Sequence, residues 1–137
     1  MMISTRGRYA LRVMLDLAER SGEGFIPMKD VAARQEISLK YLEQILPVLT
    51  KNGLVETVHG KGGGYRLTRS PGDYCVGEIL RLTEGDLAPV SCLAADAEPC
   101  GRREICPTLS FWNGLNEAIS RYVDSVTLAD LLPEKNG

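Results

Sequence analysis

Apolar residues recur at intervals of three and four near the N-terminus and predict a first helix. The repeating positions are Ala10, Leu11, Met14, Leu17 and Ala18. Ser4 and Thr5 precede them and are residue types that commonly cap a helix N-terminus. The helix is therefore expected to run to about Arg20, because the segment Ser-Gly-Glu-Gly at 21–24 interrupts the pattern.

A second, shorter helix is predicted directly after this break. Pro27 suits its start, and Val31 and Ala32 are expected to face inward. Ile37 then supplies an apolar side chain for a tight turn. This turn separates the second helix from a third one, so the two are expected to form a helix-turn-helix pair.

The third helix is predicted by an apolar stripe of four residues. Its members are Leu42, Ile45, Leu46 and Leu49. Ser38 is the expected N-cap, and Asn52-Gly53 occupies the C-terminal capping position. Pro47 in the third turn admits two interpretations, a bend within a continuing helix or a helix that is already ending there.

Two strand-like segments follow Gly53 and complete the pattern of a winged helix-turn-helix domain. The segments at 54–58 and 65–68 flank a glycine-rich turn at 59–64. The predicted fold class is mainly α with a small β-hairpin wing (α+β). Such modules place the second helix of the pair in the major groove of DNA.

The polar face of the third helix carries side chains suited to reading DNA. Lys40, Gln44 and Lys51 lie opposite the apolar stripe, and Tyr41 and Glu43 flank them. Lys40 and Gln44 are expected to donate to base edges. Tyr41 is expected to meet a phosphate or a thymine methyl group.

The glycine-rich turn of the predicted wing also suits contact with DNA. Its glycines allow close backbone approach to a phosphate, and Lys61 and Arg66 add positive charge. His59 or Lys61 is expected to enter a narrow minor groove. A flexible hairpin with solvated lysines is the alternative. A nucleotide-binding loop is disfavoured, because Gly-Lys-Gly-Gly-Gly lacks the required spacing and does not precede a helix.

The second half of the chain predicts one short and one long helix. The short amphipathic helix covers 76–84. The apolar positions of the long one are Leu109, Trp112, Leu115, Ile119, Tyr122, Val123 and Val126. Pro107 fits its first position, which makes Cys106 the expected N-cap. The stripe packs either on its own domain or, as favoured here, on a second chain, since palindromic DNA requires a two-fold dimer.

Three cysteines lie in the loop between these two helices. Cys92, Cys100 and Cys106 have seven and then five residues between them. Thiolates gathered this closely suit a soft metal or an iron–sulfur cluster. Cys106 at a helix N-terminus is expected to have a lowered thiol pKa. Scattered free cysteines are the alternative interpretation, and Cys75 is expected to serve packing.

The charge distribution separates the two halves of the chain. Residues 1–70 hold 11 Lys and Arg against 7 Asp and Glu, a net charge of +4, whereas residues 71–137 hold 5 against 11, a net charge of -6. A polyanion is therefore expected to meet the first half only. We predict a DNA-binding domain at 1–70, and a sensor loop and dimerisation helix at 71–137.

Composition narrows the functional classes further. The chain has 137 residues, of which 44% are hydrophobic and 25% charged, the balance of a folded protein. Apolar runs are too short to span a membrane, and the N-terminal segment lacks the features of a secretory signal, so a cytoplasmic location is expected. With one histidine in the chain, no nucleophile–base–orienter set is available, and an enzyme with a small-molecule substrate is not expected.

Several co-ordered motifs resemble the Rrf2 family of bacterial transcription regulators, and within it the IscR-type iron–sulfur sensors. They are the opening ISTRGRYALRVMLDLA, the segments SLKYLEQIL and NGLVE, the wing GKGGGYRL, and TEG before the cysteine loop. The resemblance implies a homodimeric winged-helix DNA-binding protein, usually a repressor, that binds a palindromic operator. It also implies that the three loop cysteines hold a 2Fe–2S cluster whose state changes which DNA sites are bound.

The resemblance also assigns residues. The matching DNA-contacting segment contains Ser38, Lys40, Tyr41, Glu43 and Gln44. Glu43 accepts from cytosine and repels phosphate, so it is expected to filter sites. In the wing, the expected DNA contacts are His59, Lys61, Gly62 and Gly63. His59 stands where IscR-type proteins often have an arginine, which weakens the expected minor-groove contact.

The fourth cluster ligand departs from the family pattern. IscR-type proteins place a histidine three residues after the last cysteine, and Leu109 stands there. Nitric-oxide-sensing relatives use an acidic residue near the N-terminus, where this chain reads Gly7-Arg8-Tyr9. The remaining candidates are a partner-chain group, an external thiol, or one of Asp96, Glu98, Glu104 and Cys75.

Two alternative functions stay open for the protein as a whole. One is a cluster-free family member that senses through thiol oxidation or a protein partner, and the other is a redox protein with no DNA role.

Overall fold

The computed structural model describes residues 2–94, 97–98, 101–102 and 104–133, and within them it contains six α-helices and one β-hairpin. The elements are α1 (Thr5–Glu19), α2 (Met28–Gln35), α3 (Leu39–Lys51), β1 (Val55–Val58), β2 (Gly64–Leu67), α4 (Val76–Glu84), α5 (Leu109–Ser125) and α6 (Leu128–Leu131). Short 3-10 helices cover Pro71–Asp73 and Ser91–Leu93. In the described part of the chain, no helix is both long and apolar enough to cross a membrane.

The three predicted helices of the first half are confirmed. Ser4 caps α1 by accepting a hydrogen bond from the backbone N–H of Gly7, at 3.3 Å. Glu36 ends α2 in the left-handed conformation, with φ of 55°, and this allows the chain to turn sharply. Ile37 is buried in that turn, as its position in the pattern predicted.

Helix α3 continues through Pro47 to Lys51, so the helix does not end at the proline. Pro47 is exposed, while all four members of the predicted apolar stripe are buried. Gly53 follows the C-cap with a φ of 73°, a conformation that glycine adopts without strain. The local capping signals therefore set both ends of α3.

The wing is an antiparallel hairpin in which Val55 pairs with Leu67 and Val58 pairs with Gly64. A third segment joins it, since Ile26 and Tyr65 exchange two backbone hydrogen bonds of 2.8 and 2.9 Å. This bridge attaches the hairpin to the loop between α1 and α2. The base of the wing is therefore held in place by the helical part of the domain.

The hydrophobic core extends past residue 70 to the C-terminal part of the chain. Tyr74, Ile79 and Leu128 are fully buried in the same cluster as the apolar faces of α1 and α3. The Tyr74 hydroxyl donates to the carbonyl oxygen of Leu54 at 2.7 Å. Leu128 lies at the start of α6, directly after α5, so the end of α5 is anchored in the core of the winged-helix part.

Helix α5 begins two residues later than the sequence pattern predicted. Thr108 is its N-cap, so the expectation that Cys106 caps the helix and that Pro107 is its first residue was wrong. None of the 17 residues of α5 is buried in the single chain. Ile119 and Val123 pack on a small cluster formed by Val76, Leu80 and Leu87, and this contact joins α5 to α4.

Candidate nucleic-acid interface and cysteine loop

The N-terminal half of α3 presents a row of polar side chains to solvent. Ser38 caps the helix by accepting from the backbone N–H of Tyr41 at 3.1 Å. Lys40, Glu43 and Gln44 are exposed, on the side opposite the buried stripe. The structure therefore brings together the N-cap residue and the four α3 residues that the sequence predicted to contact DNA.

Tyr41 is the one half-buried member of this group, and α1 holds it in place. The ring of Tyr41 lies edge-on to the ring of Tyr9, with the centroids 5.2 Å apart. The guanidinium group of Arg12 lies over the ring of Tyr9, 5.2 Å from its centroid. Arg12 also donates to the side chain and the backbone carbonyl of Gln35, at the end of α2. This chain of contacts fixes the start of α3 relative to α1 and α2.

A buried carboxylate braces the helix-turn-helix pair. Asp16 is 1% exposed, and Arg34 donates to both of its carboxylate oxygens at 2.8 and 3.0 Å. Gln35 donates to the same carboxylate at 3.0 Å. Burial alone raises the pKa of Asp16, but the hydrogen bonds from Arg34 and Gln35 and the nearby Arg20 charge hold it below its ordinary value. Asp16 is therefore ionised at neutral pH and ties α2 to α1.

The tip of the wing is open to solvent. His59, Lys61 and Gly62 are exposed, and Gly63 is half-buried. A Cβ on Gly63 would collide with the carbonyl oxygen of Val58, so glycine is required here by the hairpin itself. The same holds for Gly64, whose Cβ would collide with the carbonyl oxygen of Ile26. Close approach within the protein thus explains two of the glycines that the sequence analysis related to DNA.

Arg66 is less available for DNA than its position in the wing suggested. Its side chain pairs with Glu56 across the hairpin at 2.6 Å. Its guanidinium group also lies 4.3 Å from the centroid of the Phe25 ring. Lys61 therefore carries the unpaired positive charge of the wing, among the described residues.

The cysteine loop is described only in part. Cys92 is exposed in the 3-10 helix at Ser91–Leu93, and Cys106 is partly exposed just before α5. Cys100 and Asp96, which the sequence analysis named as ligand candidates, lie outside the described residues, while Glu98 and Glu104 are exposed. The described part of the chain contains no group of three or more metal-binding side chains.

The thiol of Cys106 has the lowered pKa that the sequence predicted, although Cys106 lies two residues before the N-cap of α5. The Thr108 side chain, with its oxygen 3.5 Å from the sulfur, and the Thr108 backbone lower the pKa of Cys106 by hydrogen bonding. Cys106 itself does not cap the helix. The donor chemistry of Cys92 and Cys106, two accessible thiols without a disulfide, fits thiolate ligation.

Cys75 occupies a different part of the molecule from the cysteine loop. It precedes α4, and its sulfur lies 3.8 Å from a carboxylate oxygen of Asp124 on α5. Arg81 pairs with the same carboxylate at 2.6 Å. Cys75 therefore contributes to the contact between α4 and α5, in line with the packing role expected for it.

Two residues that position the interface, Asp16 and Tyr74, were not predicted from the sequence. For Asp16 a signal was present, because a charged residue on the buried side of a helix is unusual. Tyr74 was not singled out. Its hydroxyl accepts from the backbone N–H groups of Thr68 and Arg69 at 2.9 and 3.1 Å, which holds the chain that leaves the wing.

Comparison with known families identifies a match over nearly the whole chain. The family model described as "Rrf2: Iron-dependent Transcriptional regulator" matches residues 3–134. The HTH-type transcriptional regulator IscR of Serratia proteamaculans is 39% identical over 132 residues, which cover 96% of this chain and 79% of that protein. Transcriptional regulators are not enzymes, and this agrees with the expectation from the sequence.

Solved structures with the same fold include two regulators of this kind. CymR of B. subtilis, described as its global cysteine regulator, superimposes with a TM-score of 0.79 and 37% identity, over 96% of this chain and 95% of that chain. IscR of T. potens superimposes with a TM-score of 0.75 and 38% identity, over 96% of this chain and 85% of that chain. These similarities bear out the predicted winged-helix fold.

Proposed function

Since this chain belongs to the Rrf2 family of transcriptional regulators, we propose that it is a homodimeric repressor that binds a palindromic operator and is controlled by a 2Fe–2S cluster. The observation that carries the DNA-binding part is the exposed polar row on α3, which stands beside an exposed wing tip. Residues 1–70 supply this DNA-binding part. Residues 71–137 supply the sensor loop and the dimerisation helix.

Sequence reading is assigned to the N-terminal half of α3. Lys40 and Gln44 donate to base edges in the major groove, and Glu43 selects against sites without a matching donor. Tyr41 meets a phosphate or a thymine methyl group. Ser38 meets the phosphate backbone at the start of α3, where the helix dipole favours an anion. His59, Lys61, Gly62 and Gly63 of the wing contact the adjacent groove.

Dimerisation is assigned to α5. Phe111 is 63% exposed and Tyr122 is 71% exposed in the single chain, and Ile105 before the helix is 69% exposed. Exposed apolar groups of this size are typical of protein interfaces. A second copy of the chain, related by a two-fold axis, would cover them and present two α3 helices to a palindrome.

The cluster is assigned to Cys92, Cys100 and Cys106. Support comes from the IscR name of the relatives and from the two accessible thiols of Cys92 and Cys106. When bound, the cluster supplies redox-dependent and removable cross-links between the thiolates. The protein's own part is to tie the loop to α4 on one side and to α5 on the other, so that a change in the loop reaches both.

Control by thiol oxidation or by a protein partner, without a cluster, is the second candidate. One observation favours it: the Cys106 thiol is accessible, and hydrogen bonds from Thr108 lower its pKa, which suits oxidation as well as ligation. The winged-helix fold by itself does not decide between the two modes of control. An electron carrier without a DNA role has no use for the exposed polar row on α3.

The test of the cluster begins with anaerobic purification, the visible absorption spectrum, and iron and sulfide assays per chain. Charge-transfer bands with about two irons and two sulfides per chain support the cluster. Cys100→Ala is expected to abolish the colour without unfolding the protein, whereas the control Cys75→Ala keeps it. A colourless, iron-free protein that still binds DNA contradicts the cluster and favours the thiol or partner mechanism.

The test of DNA reading is selection of preferred sites from a random-sequence duplex library. Gln44→Ala is expected to relax the preference at one position of each half-site, by about 1–3 kcal/mol for the removal of a bidentate hydrogen-bond pair. Glu23→Ala, an exposed change in the loop between α1 and α2, serves as the control. An unchanged preference in Gln44→Ala would mean that Gln44 does not read a base.

A further inference from the structure

The eight arginines of residues 1–90 fall into two groups. Five of them pair with a carboxylate at distances of 2.6 to 3.5 Å: Arg20, Arg34, Arg66, Arg69 and Arg81. Three others, which we term the α1 arginine cluster, occupy the first half of α1: Arg6, Arg8 and Arg12. Within the described residues, no carboxylate pairs with any of these three.

The position of the α1 arginine cluster is unfavourable for an isolated helix. The N-terminal end of a helix carries a partial positive charge, so acidic side chains are favoured there and basic ones are disfavoured. α1 has no acidic residue in its first turn, and Asp16 is the first acidic residue in the chain. Glu84 lies at this end of the helix, but it accepts hydrogen bonds from Ser4 at 2.6 and 3.0 Å instead.

The segment that carries the cluster contacts the surface proposed to read DNA. Tyr9, between Arg8 and Arg12, contacts Tyr41 at the start of α3. Arg6 and Arg8 are exposed, and Arg8 donates a hydrogen bond to the Thr5 hydroxyl of its own helix at 3.1 Å. Arg12 is more constrained, because it donates to Gln35 at the end of α2. Arg6 and Arg8 are thus available to bind an external anion.

From these observations we propose that Arg6 and Arg8 bind the DNA phosphates that flank the site read by α3. This inference rests on the proposed DNA-binding function and adds a second contact surface to it. A guanidinium group binds phosphate oxygens through paired hydrogen bonds, and such contacts add affinity without reading sequence. Bound phosphates also remove the unfavourable interaction between these arginines and the helix dipole.

The experiment measures how DNA affinity depends on salt. The full-length Arg6→Gln/Arg8→Gln variant and the wild type are titrated by fluorescence anisotropy against a mixed-sequence duplex of about 30 base pairs, at about 50 to 300 mM KCl. Removing one phosphate contact makes the slope of log K against log salt shallower by about 0.9. The slope of the double variant is therefore expected to be shallower by about 1.8, and its affinity to fall about eightfold per arginine near 0.1 M salt.

Two further readouts distinguish a phosphate contact from a structural role. The base preference selected from a random library is expected to stay as in the wild type, and the thermal midpoint is expected to stay the same or rise. Arg8→Gln alone is expected to show half of the slope change. The matched control is Arg20→Gln, at the opposite end of the same helix, where the arginine pairs with Asp16 and Glu19; this variant is expected to leave the slope unchanged.

The possible failures are separable. If the wild type binds DNA and the double variant keeps its slope, the α1 arginine cluster does not contact phosphate, while the proposed function stands. If the variant changes base preference instead, the arginines read bases and the inference is wrong in that form. If the wild type itself binds no duplex at any salt concentration, both the proposed function and this inference are overturned.

Discussion

Helices α1 and α5 have similar lengths, 15 and 17 residues, and both carry apolar residues at helical spacing. In the single chain, α1 buries seven of its residues and α5 buries none. The first helix finds its partners in α2, α3 and α4, whereas the apolar side of the second packs, among the described residues, on the small cluster of Val76, Leu80 and Leu87. An amphipathic pattern thus indicates that a face must be covered, but not which surface covers it.

The largest effect is expected from a substitution of Asp16, the residue of α1 that pairs with Arg34 of α2. Asp16→Asn removes the charge of a buried carboxylate and leaves the partly exposed Arg34 without its counter-charge. We expect a loss of about 3–5 kcal/mol in the free energy of unfolding, measured by urea denaturation. Glu19→Gln, on the exposed side of the same helix, is the control and is expected to change it by less than about 0.5 kcal/mol. Equal effects of the two would show that the Asp16 network does not hold α1 to α2.

The second-largest effect is expected on dimer formation, and it tests whether a second chain covers α5. Phe111→Ser removes one exposed aromatic side chain from each protomer of the proposed dimer. We expect the association free energy to weaken by about 2–4 kcal/mol, measured by analytical ultracentrifugation. The far-ultraviolet circular dichroism of the monomer should not change, because α5 packs on α4 through other residues. An unaltered dimer would place the interface on another surface.

A smaller loss of stability is expected at Tyr74, which connects the wing to the start of α6. Tyr74→Phe keeps the buried ring but removes the hydroxyl that binds Leu54, Thr68 and Arg69. Leaving these backbone groups without their partner is expected to cost about 1–3 kcal/mol of unfolding free energy. Tyr65→Phe in the wing is a matched control, since its ring is only half-buried. If Tyr74→Phe is as stable as the control, the hydroxyl does not stabilise the chain that leaves the wing.

The smallest and most gradual loss of stability is expected when the pH is lowered. The pKa of Asp16 is lowered in the folded protein, so its contribution is present above its unfolded pKa of about 3.9 and is lost as the pH falls through the folded value. The wild type should lose at most about 1.4 kcal/mol per pH unit from this group below about pH 4. Asp16→Asn should lack this component in urea titrations at several pH values. Parallel pH profiles of the two proteins would contradict the lowered pKa.

Much of the winged-helix part was predictable because its signals are local. The caps at Ser4 and Ser38, the break at 21–24 and the end at Asn52-Gly53 each act within one turn of the helix they limit. The start of α5 was predicted less well. Pro107 is a good first residue of a helix, but Thr108 caps the helix instead. Here two adjacent residues offered competing local signals, and the pattern did not separate them.

Local signals in the chain were sufficient to predict the helices of the first half, the hairpin, the polar face of α3 and the family resemblance. All of these follow from short-range periodicity, capping and ordered motifs. The folded structure was needed to show that Asp16 pairs with Arg34, that Tyr74 holds Leu54, and that Leu128 completes the core. The partners in the two side-chain contacts are 18 and 20 residues apart. No local pattern encodes such pairs, because they exist only once packing has brought separate elements together.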